Sequence, residues 1–141
     1  MNISFETGLV AILRTKTESD SRDMANALVN AGITLIEFTM TTPGALNLVE
    51  EFSANKSINV GLGTVLTTEH VKAGKKVGAQ FIISPHTDEE VIKATKAADL
   101  ISIPGVASPT LRDDSPPIPS TQGIACSASP VGRCASKRVD E

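Results

Sequence analysis

Leu35-Ile36-Glu37-Phe38-Thr39-Met40-Thr41-Thr42-Pro43 reads as a buried strand that runs straight into a helix start. Residues 35–40 are apolar or hydroxylic apart from one carboxylate, as expected of a parallel strand covered on both faces. Thr42-Pro43 then opens a helix through Phe52, with proline at a first-turn position where its missing N–H is harmless. The same pair of elements recurs on either side. Further strands are expected at 9–13, 59–62, 81–84 and 100–103. In the first helix Ser19 or Asp20 is the expected cap, and Met24, Ala27, Leu28 and Ala31 make an apolar stripe before Gly32 stops it. Thr67 or Thr68 opens the third helix, which carries Glu69 early, Lys75 and Lys76 late, and Gly78 at its close. Thr87 begins the fourth, with Asp88, Glu89 and Glu90 in its first turn and Lys93 and Lys96 near its end.

Strands spaced roughly 20–25 residues apart, with one helix between each pair, match the rhythm of a (β/α)8 barrel. A doubly wound sheet is the competing α/β architecture. A dinucleotide site gains no support, because Gly61-Leu62-Gly63 lacks the third glycine of that fingerprint and has Leu66 in its place. After Pro104-Gly105 the texture changes. Residues 111–141 contain prolines at 116, 117, 119 and 130 and no helical or strand periodicity. The expected division is therefore 1–110, a barrel part, and 111–141, an aperiodic tail. That tail reads either as a disordered extension or as the product of a reading-frame shift near Thr110; the abruptness of the change favours the second. Five strands do not close an eight-stranded barrel, so marginal stability or assembly is expected.

The 141 residues are 40% hydrophobic and 21% charged with a net charge of −3, an ordinary globular balance. The lysines and arginines are scattered, which argues against a nucleic-acid partner. No apolar run approaches the roughly 18–20 residues of a membrane span, and the start lacks the pattern of a secretion signal. Cys126 and Cys134 form neither a disulfide framework nor a zinc motif, so a cytoplasmic location is the default expectation. With 3% aromatic residues, the core must be built from Ile, Val, Leu and Ala.

Five stretches in order resemble one family. They are Gly8-Leu9-Val10-Ala11-Ile12-Leu13-Arg14; Ala31-Gly32-Ile33 leading to Ile36-Glu37-Phe38-Thr39-Met40-Thr41-Thr42-Pro43; Gly61-Leu62-Gly63-Thr64-Val65-Leu66; Gly78-Ala79-Gln80-Phe81-Ile82-Ile83-Ser84-Pro85-His86; and Ile103-Pro104-Gly105-Val106-Ala107-Ser108-Pro109-Thr110. Together they are similar to the first half of the 2-keto-3-deoxy-6-phosphogluconate and 4-hydroxy-2-oxoglutarate aldolases. The resemblance implies a trimeric class I aldolase that uses neither metal nor cofactor. Such enzymes cleave phosphorylated 2-keto-3-deoxy sugar acids to pyruvate and glyceraldehyde 3-phosphate. A lysine forms an imine with the substrate ketone, and the protonated imine then accepts the electrons of the broken carbon–carbon bond.

Glu37 interrupts an otherwise apolar strand, where a carboxylate is costly unless paired or hydrated. It either escapes to solvent, pairs with Arg14, or, as the resemblance implies, moves protons as the general acid/base. Arg14 ends the first strand, where barrel enzymes place functional groups, and its guanidinium suits a carboxylate. Some family members carry an arginine four residues after the glutamate; Thr41 holds that place here, so Arg14 is read as the substitute anchor. Thr64 matches a contact to the pyruvate carboxylate and Pro85 a position lining the pyruvate pocket, although a turn threonine and a strand terminator would look the same. His86 has no second residue spaced to share a metal. The family's lysine-aromatic-phenylalanine-proline run is absent, and Lys72, Lys75, Lys76, Lys93 and Lys96 fall on expected helices, with Lys137 in the tail. The expectation is a truncated aldolase half, inactive as this chain, whose small-molecule partner by resemblance is a keto acid. Alternatives are a complementing half-barrel and a pyruvate-binding module without catalysis.

Overall fold

Alternation along the second strand separates two apolar layers, and that separation decides the architecture. The computed structural model of the protein describes residues 9–105. Within them the elements run β1 (Ala11–Leu13), α1 (Glu18–Asn30), β2 (Leu35–Thr39), α2 (Ala45–Ser53), β3 (Asn59–Gly63), α3 (Thr68–Lys76), β4 (Phe81–Ser84), α4 (Glu89–Ala97) and β5 (Ile101–Pro104). All pairings are parallel and the strand order is β1-β2-β3-β4-β5, the chain order itself.

Leu13, Ile36, Phe38, Val60, Leu62 and Ile82 point to one side of this sheet and join Ala25, Leu48, Val49, Phe52, Val71 and Val91 from the four helices. Leu35, Phe81 and Ile103 form a second cluster with Val10, Ile83 and Ile101, and it contains no helical residue. Every described helix thus covers the same face. A doubly wound sheet would have helices on both faces and a reversal of strand order; a barrel has neither. The chain has the α/β barrel fold, with four β/α units and a fifth strand described. Residues 111–141, and the proposed break near Thr110, lie outside the described residues.

Helix starts follow local hydrogen bonding more closely than composition. Thr17, rather than Ser19 or Asp20, caps α1 by accepting from the Asp20 N–H. Thr67 caps α3 through the His70 N–H, as expected. Asp88 caps α4, accepting from the Glu90 and Val91 N–H groups, one residue later than the Thr87 start read from sequence. Helix α2 begins at Ala45, not at Thr42-Pro43. Gly44 takes a φ of +70°, and the Thr42 hydroxyl turns inward to the Leu13 carbonyl. A Cβ on Gly44 would also overlap the Glu18 carboxylate, which itself pairs with Arg22.

The apolar stripe expected on α1 is displaced. Ser21 and Ala25 face the sheet, both fully buried, and Leu28 is partly buried. Met24 is 50% exposed, and Ala27 and Ala31 are exposed. Small residues let the helix approach closely, and the Ser21 hydroxyl meets Thr15 at 2.7 Å. A hydroxyl with a partner can be buried where a methionine would not fit.

Candidate functional site

Residues Leu35, Glu37 and Thr39 alternate onto the helix-free face of β2, with Glu37 in register with Ile12 on β1 and Gly61 on β3. Glu37 is 3% exposed. Its side chain leans toward the C-terminal end of the sheet, over Gly63, where a Cβ would overlap the carboxylate. Gly61 gives room in the same way to the Phe81 ring. The glycines of β3 therefore accommodate neighbours' side chains, which explains why glycine stands at both 61 and 63.

Burial without compensation dominates the electrostatics of Glu37. Among the described residues, its Oε2 has no hydrogen-bond partner. Desolvation raises the carboxyl from an ordinary 4.5 to about 7, and the positive charge of Arg14 opposes that rise more weakly. Arg14 forms no ion pair with Glu37; its Nη2 donates instead to Thr64 Oγ1 at 3.5 Å. Since β2 lies between β1 and β3, the guanidinium spans the end of β2 to make that bond. The two simpler explanations of Glu37, escape to solvent and pairing with Arg14, are both at odds with this geometry.

Thr64 follows β3 with a φ of +57°. A β-branched residue in the left-handed region is a conformational outlier, and such strain concentrates at functional positions. The adjoining Val65 N–H holds it there by donating to the Ile83 carbonyl at 3.1 Å. Replacing Thr64 by glycine should raise unfolding stability by about 1 kcal/mol, because glycine adopts this backbone freely. Urea denaturation measures the change, and a loss of stability would show that the threonine is not strained.

A family model described as KDPG and KHG aldolase matches residues 2–111. The chain belongs to that family. The curated relatives include a probable 2-dehydro-3-deoxy-6-phosphogalactonate aldolase of Rhizobium meliloti, 32% identical over 74% of this chain and 50% of the relative. A 2-dehydro-3-deoxy-phosphogluconate aldolase of Pseudomonas aeruginosa is 30% identical over 73% of this chain and 47% of the relative. Among solved structures, the Legionella pneumophila KDPG aldolase with pyruvate captured at low pH as a covalent carbinolamine intermediate superposes with a TM-score of 0.66 at 31% identity. The match covers 74% of this chain and 52% of that one. The chain spans about half the length of the relatives it matches.

Of the residues singled out from this aldolase family's pattern, the structure brings together Arg14, Glu37 and Thr64 at the C-terminal end of neighbouring strands. Pro85 follows β4 at the same end and is exposed, with its carbonyl packed against Gly105; it shares no hydrogen bond with the other three. His86 is exposed beside it. Of the described lysines, Lys72, Lys75 and Lys76 lie on α3, Lys93 and Lys96 on α4 and Lys56 before β3, while Lys16 is exposed in the loop after β1, two residues beyond Arg14. Among the described residues, no three His, Cys, Asp or Glu side chains are grouped to hold a metal, and no helix is long and apolar enough to cross a membrane.

One group escaped the reading of the sequence. Thr39, Thr41 and Thr42 meet through their hydroxyls, Thr39 to Thr41 at 3.0 Å and Thr39 to Thr42 at 3.1 Å. Three threonines within four residues at a strand end were the available signal.

Proposed function

We propose that this chain carries the acid/base and carboxylate-binding part of a class I aldolase site for 2-keto-3-deoxy-6-phospho sugar acids. The observation that carries the reading is Glu37: buried, without a hydrogen-bond partner on Oε2 among the described residues, and within the field of the Arg14 guanidinium. A carboxyl poised near neutrality can both give and take a proton during imine formation and carbon–carbon cleavage. Arg14 and Thr64 supply a cation and a hydroxyl for the carboxylate of a pyruvate moiety, and Pro85 borders the same end of the sheet. No metal or organic cofactor enters the scheme.

The polypeptide of 141 residues is proposed not to turn over by itself. It contains no lysine in the family's imine-forming sequence context, and the described lysines belong to helices and loops rather than to the helix-free face. The division into a barrel part, 1–110, and a separate tail, 111–141, belongs to the same proposal, supported by a family match over 2–111. So do a cytoplasmic setting and assembly of the kind suggested by the trimeric family.

Two measurements on the full chain test the reading. Pyruvate should bind at millimolar concentration, and Arg14→Met should weaken it about tenfold, the loss of one charge-assisted contact. Borohydride added with pyruvate should leave the mass of the chain unchanged. A trapped adduct would locate an imine-forming lysine and overturn the inactivity; absent binding would overturn the site.

A further inference from the structure

The hydroxyls of Thr39, Thr41 and Thr42 have a direction, which follows from counting protons. Each hydroxyl has one proton to donate, and a backbone carbonyl can only accept. Thr42 Oγ1 lies 3.3 Å from the Leu13 carbonyl, so the Thr42 proton points there. The 3.1 Å contact between Thr42 and Thr39 must then use the proton of Thr39. That leaves the 3.0 Å contact between Thr39 and Thr41 to the proton of Thr41. The only consistent order runs from exposed Thr41 through buried Thr39 and Thr42 to the Leu13 carbonyl.

The end of this chain is significant because the next residue is Arg14. Leu13 is the last residue of β1, in register with Phe38. Beyond it the guanidinium must cross the end of β2 to reach Thr64. A long arginine side chain has many rotamers, so its reach depends on a fixed base. The Thr42 turn is itself held by the Thr42 N–H donating to the Thr39 carbonyl at 2.9 Å.

We propose that Thr42 is a positioning residue for Arg14, acting through a one-way hydroxyl chain that pins the Leu13 carbonyl. The inference rests on Arg14 being the carboxylate anchor. A corollary concerns Thr41: its proton is committed inward, so the exposed oxygen offers a ligand lone pairs only. Where, by the family resemblance, some members carry an arginine, this chain offers an acceptor, and the carboxylate is left to Arg14.

The test compares Thr42→Val, which keeps the shape and removes the donor, with Thr42→Ser, which keeps the donor. The last bond is longer than the about 2.7–2.8 Å usual between hydroxyl and carbonyl oxygens, so a moderate effect is expected. In the full, ligand-free chain, the heteronuclear NOE of the Arg14 side-chain Nε should fall for Thr42→Val and stay near its original value for Thr42→Ser. Pyruvate affinity should weaken about fivefold for Thr42→Val, and by less than twofold for Thr42→Ser. In an Arg14→Met background, Thr42→Val should have no further effect on pyruvate. An unchanged Arg14 NOE in Thr42→Val, or failure of serine to restore it, overturns the inference. Should the valine variant not fold, the unsubstituted chain decides: slowly exchanging hydroxyl protons on Thr39 and Thr42 support the chain of bonds, and fast exchange overturns it. Failure of the unsubstituted protein to bind pyruvate would remove the site reading, while the Arg14 NOE would still decide whether Thr42 positions it.

Discussion

The protein should be less stable at pH 8 than at pH 5 by about 2.5 kcal/mol on account of Glu37 alone, and Glu37→Gln should abolish that difference. The direction follows from proton counts. Burial raises the carboxyl from 4.5 to about 7, so between these values the folded chain holds a proton that the unfolded chain has released. Unfolding then releases a proton, and stability falls as pH rises. The loss begins near the unfolded value and is complete once pH passes the folded one. Below about pH 4.5 both states are protonated and Glu37 contributes no slope. Most buried carboxylates with partners show the opposite sign, which makes the experiment discriminating. Urea midpoints of both proteins across this range measure it. Parallel profiles would mean that Glu37 has a partner in solution, and the role proposed for it as a proton carrier near neutrality would fail with that result.

Gly61→Ala should destabilise the fold by about 3 kcal/mol, at the upper end of overpacking costs. Ordinary strand preference points the other way, since alanine in place of glycine usually gains about 0.5–1 kcal/mol. Here the new methyl would overlap the ring of Phe81, which is 0% exposed. The strand cannot move aside, because Gly61 is in register with Glu37 on one side and Phe81 on the other. Shortening the obstructing side chain is the control: in a Phe81→Leu background the alanine should cost about half as much. Equal costs in both backgrounds would place the difficulty in the backbone rather than in the ring.

Periodicity made the barrel legible, because strand spacing and chain-order pairing are set by local patterns that the aliphatic runs carry openly. Phe81–Ser84 appears with the expected limits, and the other strands shift by a residue or two at their ends. The face presented by α1 was not legible. Met24 satisfied the helical spacing of an apolar stripe, yet Ser21 and Ala25 occupy the contact, since closeness of approach and a hydroxyl partner decided it. The start of α2 was misread for a related reason: Thr42 has a tertiary hydrogen bond to Leu13, across 29 positions of sequence. At the site, Glu37 stood out as a misplaced charge, and family resemblance pointed to Arg14, Thr64 and Pro85. That Arg14 reaches Thr64 instead of Glu37 depends on which strand lies between them, which spacing does not express.

The two glycines of β3 also bear on how such a site can change. On its helix-free face the third strand offers bare backbone at 61 and 63, and side chains rooted next door lean across it. A mutation there acts at a distance of one strand: it displaces a phenyl ring or a carboxylate without altering either. The placement of the Glu37 carboxyl is thus encoded twice, once as a glutamate and once as an omission, and selection that moves one must answer to the other.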